Sequence, residues 1–120
     1  MNEHIRFIRH ENKQILLVDL SNCSAGKVEE IARAAPDIIT AQPRNSVLIL
    51  TDFTGASFDP EALRAMKESA VFDKPYIRKS AWIGADHFPQ QFYQELKAFS
   101  RRELPIFKTR NEALKWLVSD

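Results

Sequence analysis

Cys23, Asp52 and His87 are the side chains whose types, taken together, could do chemistry: a thiol as nucleophile, an imidazole as base, a carboxylate to orient it. Each follows a short apolar run. ILLVDL precedes Ser21-Asn22-Cys23, VLIL precedes Thr51-Asp52, and SAWIGA precedes Asp86-His87. The trio works only if the fold gathers the three run-ends. Each member also has a plainer account. A lone cysteine is more often a small buried hydrophobe than a reactive thiol, and Lys27 is the nearest cation that could lower its pKa. The three histidines are scattered and one cysteine cannot complete a zinc quartet, so no metal is expected. Neither GxxxxGK[ST] nor GxGxxG is present, so no nucleotide cofactor is expected. Free amides near Pro60-Glu61-Ala62 could hold an anion, but Asp59 and Glu61 oppose it by like charge. What remains is a polar rim of Asp52, Thr54, Ser57 and Asp59, joined by Cys23 and His87, read as a binding surface without catalysis.

The elements that must position these residues follow from hydrophobic period. Val47 to Leu50 is continuously apolar, as expected of a strand covered on both faces. Asp59-Pro60-Glu61 after it marks a helix start, with Asp as N-cap, Pro at the first helical position and an acid in the first turn. Upstream, Ile5 to Arg9 and Gln14 to Leu20 are strands joined by a polar hairpin loop. Val28, Ile31, Ala32, Ala35 and Ile39 then keep helical period, and Pro36 leads one to expect a kink or restart near Ala35. Downstream, a helix carries Leu63, Met66 and Ala70, and Ser80 to Ala85 is a strand. The next helix opens at Pro89 with an apolar stripe of Phe92, Leu96 and Phe99. Pro105 to Lys108 is an edge strand, and Thr109-x-x-Glu112 is a capping-box pattern opening the last helix. The order β-β-α-β-α-β-α-β-α predicts an α/β domain: an N-terminal antiparallel hairpin and a mostly parallel sheet packed with helices. In such sheets the loops leaving the strands share one edge, where ligands usually bind.

With that order, ILLVDL at 15–20, LILTDFTGASFDPEAL at 48–63 and IFKTRNEALKWL at 106–117 carry a resemblance. The chain resembles the STAS superfamily, the fold of bacterial anti-sigma-factor antagonists, and within it a branch of short SpoIIAA-like proteins also compared with lipid-binding SEC14-type domains. The resemblance implies one STAS-like domain over residues 1–120 and a regulatory or binding role. Antagonists of that family are phosphorylated on a serine where the helix after the central strand begins. Here Phe58-Asp59-Pro60-Glu61-Ala62 occupies that ground, so the phosphoserine is missing. A strand ending in Asp52 also resembles two-component receiver domains, but Asp19 stands alone where those need an acidic pair, and the opening hairpin is foreign to them.

Composition bounds the partners. At 120 residues the chain is one domain, and its net charge of +1 argues against a dedicated nucleic-acid binder. No apolar run is long enough to span a membrane, and the amino terminus lacks a secretory h-region, so a cytoplasmic protein is expected. The expected partner is a protein, a second copy of the chain, or a small apolar ligand. The ligand reading comes from seven aromatics between Phe72 and Phe99. Lys-Pro and Phe-Pro corners at the ends of this tract limit regular pairing and suggest a separately packed cover. In it Tyr76 and Phe88 would pack inward while Arg78 and Lys79 face solvent or an anionic head group.

Overall fold

In the computed structural model, which describes residues 3–119, Ile5–His10 (β1) and Lys13–Asp19 (β2) pair antiparallel, from Ile5 opposite Val18 to His10 opposite Lys13. The turn between them uses Glu11 (φ 49°) and Asn12 (φ 67°). Two left-handed residues match the twist of the flanking strands. The chain continues through α1 (Ala25–Ile39), β3 (Val47–Asp52), α2 (Pro60–Asp73), a 3-10 turn (Lys74–Tyr76), β4 (Ile77–Ile83), α3 (Gln90–Ser100), β5 (Ile106–Phe107) and α4 (Arg110–Val118). The sheet order is β1-β2-β3-β4-β5, and every pairing after the hairpin is parallel. This is the element order that the sequence implies.

The sheet has two unequal covers. α1, α2 and α3 pack on one face, over Val18, Ile49 and Trp82. α4 alone packs on the other, over Ile15, Leu17, Leu48, Leu50, Ala81 and Ile83. All six residues of β3 are therefore buried. A fully buried aliphatic such as Leu50 contributes roughly 1.5–3 kcal/mol. The starts of α1, α2 and α4 are fixed by side-chain caps: Ser24 Oγ accepts from the Lys27 amide at 3.2 Å, Asp59 Oδ1 from Ala62 at 2.8 Å, and Thr109 Oγ1 from Glu112 at 3.2 Å. No helix among the described residues is long and apolar enough to cross a membrane.

Three local expectations change, and for α1 one of its two alternatives falls away. α1 does not restart at Pro36 but runs on to Ile39, and the Thr40 amide and hydroxyl both bond the Pro36 carbonyl, at 2.9 and 2.7 Å. Proline removes one backbone bond, while buried residues on both sides of it hold the two halves to the same core. β4 begins at Ile77 rather than Ser80, pairing with Val47 of β3. In α3 the buried positions are Leu96 and Ser100, and Phe99 turns outward, 60% exposed, beneath the Lys67 ammonium at 4.3 Å. β5 is only two residues long.

Candidate functional site

The parallel register sets Asp19 beside Asp52 and Asp52 beside Ile83, so the strand exits do share one edge. Backbone bonds then stitch the loops together: Leu20 N to Asp52 O at 2.9 Å, Asn22 N to Thr54 O at 2.7 Å, Phe53 N to Ile83 O at 2.9 Å, and Ser57 N to Cys23 O at 2.9 Å. Asp52 Oδ1 accepts from the amide (2.9 Å) and hydroxyl (2.7 Å) of Thr54, and its Oδ2 lies 3.6 Å from the Arg110 guanidinium. Asp19 Oδ1 accepts the amide and hydroxyl of Ser21 in the same way. These are two Asx turns side by side. Burial pushes the Asp19 carboxyl up, but the Ser21 bonds, with Arg6 and His4, outweigh it and hold it below its ordinary value. The loops approach closely at Gly84 (φ 68°), where a Cβ would sit 2.5 Å from the Thr54 amide nitrogen.

The sequence-derived rim is thus partly assembled. Asp52 and Thr54 bond each other, Cys23 and Ser57 meet through backbone atoms, and Thr54, Ser57 and Asp59 are exposed. The nucleophilic trio is not assembled. The Cys23 thiol is buried, and burial together with Asp19 raises its pKa against the lowering effect of Lys27. His87 is exposed and bonds neither Cys23 nor Asp52.

Nor do Tyr76, Arg78, Lys79 and Phe88 form one separately packed flap. Arg78 and Lys79 belong to β4, inside the sheet, because Ile77 already pairs with β3. Lys79 Nζ donates to the carbonyls of Trp116 (2.9 Å) and Ser119 (2.7 Å), placing a cation where the α4 dipole is negative. Tyr76 lies in the 3-10 turn with Arg44 over its ring at 5.8 Å. Phe88 is buried among Phe53, Phe58, Trp82 and Phe92, with ring centroids 4.9–5.9 Å away. Such clustering is core packing. A surface cleft of about 490 Å³ lies against Lys74, Arg78, Arg101 and Arg102, with Glu103 as its acid.

Sequence reasoning missed a second place. Between the sheet and α1, α2 and α3 lies a cavity of about 80 Å³ with apolar walls that include Ile31, Ile39, Ile49, Met66 and Leu96. Thr51, Ser69, Asp73, Ser80 and Arg102 line it too. Asp73 is 2% exposed; its Oδ2 accepts the Ser69 hydroxyl at 2.8 Å and its Oδ1 has no partner. Burial pushes its carboxyl up to about 6, against the Ser69 bond and the Arg102 charge. Burial likewise lowers Arg102, which Asp73 opposes, and the guanidinium makes one hydrogen bond, to the Ala70 carbonyl at 3.2 Å. The buried hydroxyls of Thr51 and Ser80 make none among the described residues.

Neither a family model nor a curated protein matches the sequence. Among solved structures the chain is similar to an uncharacterized protein from the DUF3478 family with a SpoIIAA-like fold, from Shewanella loihica PV-4. The two are 16% identical with a TM-score of 0.72, over 94% of this chain and 91% of that one. The chain therefore has a SpoIIAA-like α/β fold. At that identity the likeness establishes architecture alone, since one fold hosts many functions.

Proposed function

We propose that the chain is a small non-enzymatic binding or regulatory module that docks a protein partner on the strand-exit edge, without the phosphoserine switch of the antagonists. The supporting observation is the internal closure of that edge. The carboxylates of Asp19 and Asp52 are engaged by their own loops, while Thr54, Ser57 and Asp59 stand exposed. An edge closed in this way presents a fixed polar surface, which suits recognition. Among the described residues no base is hydrogen-bonded to the Cys23 thiol, the pairing that acid–base activation of a nucleophile needs. α2 begins Asp59-Pro60-Glu61, so no hydroxyl stands where the antagonist serine would be. Incubation with ATP and a STAS-type kinase is expected to leave Ser57 and Thr54 unmodified, and stoichiometric phosphate on either, read by mass spectrometry, overturns that part. For docking, a partner captured by the native chain should be lost by Thr54→Arg and Ser57→Arg. Equal capture by all three removes the edge from the reading.

A second reading, carriage of a small apolar ligand, is favoured by the cavity beneath α1, α2 and α3. It uses a different part of the molecule, so the two readings can be tested apart.

A further inference from the structure

Thr51 and Ser80 break the apolar pattern of two central strands on the face that turns toward α1, α2 and α3. Register makes them neighbours, since Ser80 pairs with Ile49 and Trp82 with Thr51. A core hydroxyl without a partner is costly, and so is an unpaired buried carboxylate oxygen. Here both hydroxyls and Asp73 Oδ1 line one small cavity, together with a guanidinium that uses one donor. Native cores keep such groups paired, and here one fully buried oxygen, Asp73 Oδ1, is unmet beside two hydroxyls that bond no described residue; together around one apolar space they mark a place built to receive something.

The chemistry of the visitor follows from the lining. Among the described residues Asp73 and Arg102 are the only charged groups lining the cavity and offset each other, so a charged head would be left with an uncompensated charge. Asp73 Oδ1 needs a donor, Arg102 needs an acceptor, and the two hydroxyls can serve as either. The body must be apolar to suit Ile31, Ile39, Ile49, Met66 and Leu96. A volume of about 80 Å³ has room for roughly five water-sized groups, so the body is compact. Ile77, Ser80 and Arg102 also border the surface cleft, so the two spaces adjoin at these residues.

We propose that this cavity binds a small uncharged molecule with a compact apolar body and one head that both donates and accepts hydrogen bonds, an alcohol or a primary amide. The proposal rests on the carrier reading and gives it a ligand class.

The test is an amide NMR titration of the full chain with cyclopentanol, butyramide and cyclopentane. Cyclopentanol and butyramide are expected to shift the amides of Thr51, Asp73, Ser80 and Arg102, and cyclopentane to bind at least about tenfold more weakly. Thr51→Val with Ser80→Ala, which nearly preserves shape, should remove most of that preference and leave cyclopentane unchanged. Asp73→Asn should weaken the alcohol more than the amide. Equal binding of all three compounds by the native chain overturns the head assignment and leaves the carrier reading standing. No shift at the cavity residues at millimolar concentration, or shifts confined to the surface, overturns both, and the cavity is then a site for ordered water.

Discussion

At the strand-exit edge Asp52 accepts the amide and hydroxyl of Thr54, and Asp19 does the same with Ser21. Beneath α1, α2 and α3, Asp73 accepts one hydroxyl and leaves its other oxygen bare. The same residue types appear in both places, and only their satisfaction differs. The rim drew attention in the sequence because its polar residues follow apolar runs, yet their hydrogen bonds serve the turns themselves. The cavity drew none, yet Asp73 Oδ1 there remains without a partner. Polar residues at strand ends are cheap and common in this architecture, whereas a polar residue facing the core must be offset by something else. Availability of hydrogen-bonding capacity, more than residue type, distinguishes a place that builds the fold from one that can receive a ligand.

The sharpest way to break this contrast is at Gly84, where the exit loops meet most closely. A Cβ there would press on the Thr54 backbone nitrogen at 2.5 Å with φ at 68°. Gly84→Ala is expected to cost about 3 kcal/mol or more in urea unfolding, since backbone cannot give way. Gly55→Ala should cost only about 1 kcal/mol, because the added carbon meets the tip of the Asn22 side chain, which can rotate aside. Equal losses would mean that the edge is not held by the Gly84 contact.

Next in size is the pH dependence from Asp73. Its folded pKa of about 6 lies above the ordinary 3.8, so the folded state binds this proton more tightly than the unfolded state. The group's contribution is therefore most favourable below about pH 4 and declines as pH rises to about 6, by roughly 2 kcal/mol. Asp73→Asn should flatten that part of the profile. Urea midpoints across the window would show it, and a profile unchanged by the substitution would mean that Asp73 is not the bare acid of the cavity. Asp19, held below its ordinary value, works with the opposite sign: its contribution is present above its unfolded pKa and fades as the solution becomes more acidic.

Smaller effects are expected from the trio that looks catalytic. Cys23→Ala removes a buried sulfur and should cost about 1 kcal/mol, while exposed His87→Ala should stay within about 0.5 kcal/mol. Neither should abolish any function. A turnover lost in both variants, with folding intact, would restore the enzyme reading and reverse the contrast.

The element order was legible because each signal was local: the apolar run of β3, the Asp59-Pro60 start of α2, the Thr109 cap of α4. The start of β4 was not, because Arg78 and Lys79 look like loop residues until α4 is present to receive the lysine at its C-terminus. Helical period places Phe99 inward, but α3 buries Leu96 and Ser100, so its apolar stripe is rotated. Exposure of Thr54, Ser57, Asp59 and His87 followed from topology, whereas Asp52 and Cys23 are buried. The cavity did not follow from it, because Thr51, Asp73, Ser80 and Arg102 are spread over four elements or connections, and a helix-ending Asp73-Lys74-Pro75 has a sufficient local account. A polar residue inside each of two apolar strands was the one available hint.

The unequal covering of the sheet also bears on the order in which the chain is made. α4 is nine residues long and the last element to be synthesised among those described. Until it arrives, Leu17, Leu48, Leu50 and Ile83 have no cover on their face. Lys13 of β2 and Lys79 of β4 wait for the same helix, donating to the carbonyls of Val118 and Trp116 at 2.9 Å each. On the ribosome, three helices can gather on one face while the other stays open to water. The sheet becomes a closed structure only when the residues after Arg110 clear the exit tunnel, and proteolysis of arrested chains of increasing length would locate that moment.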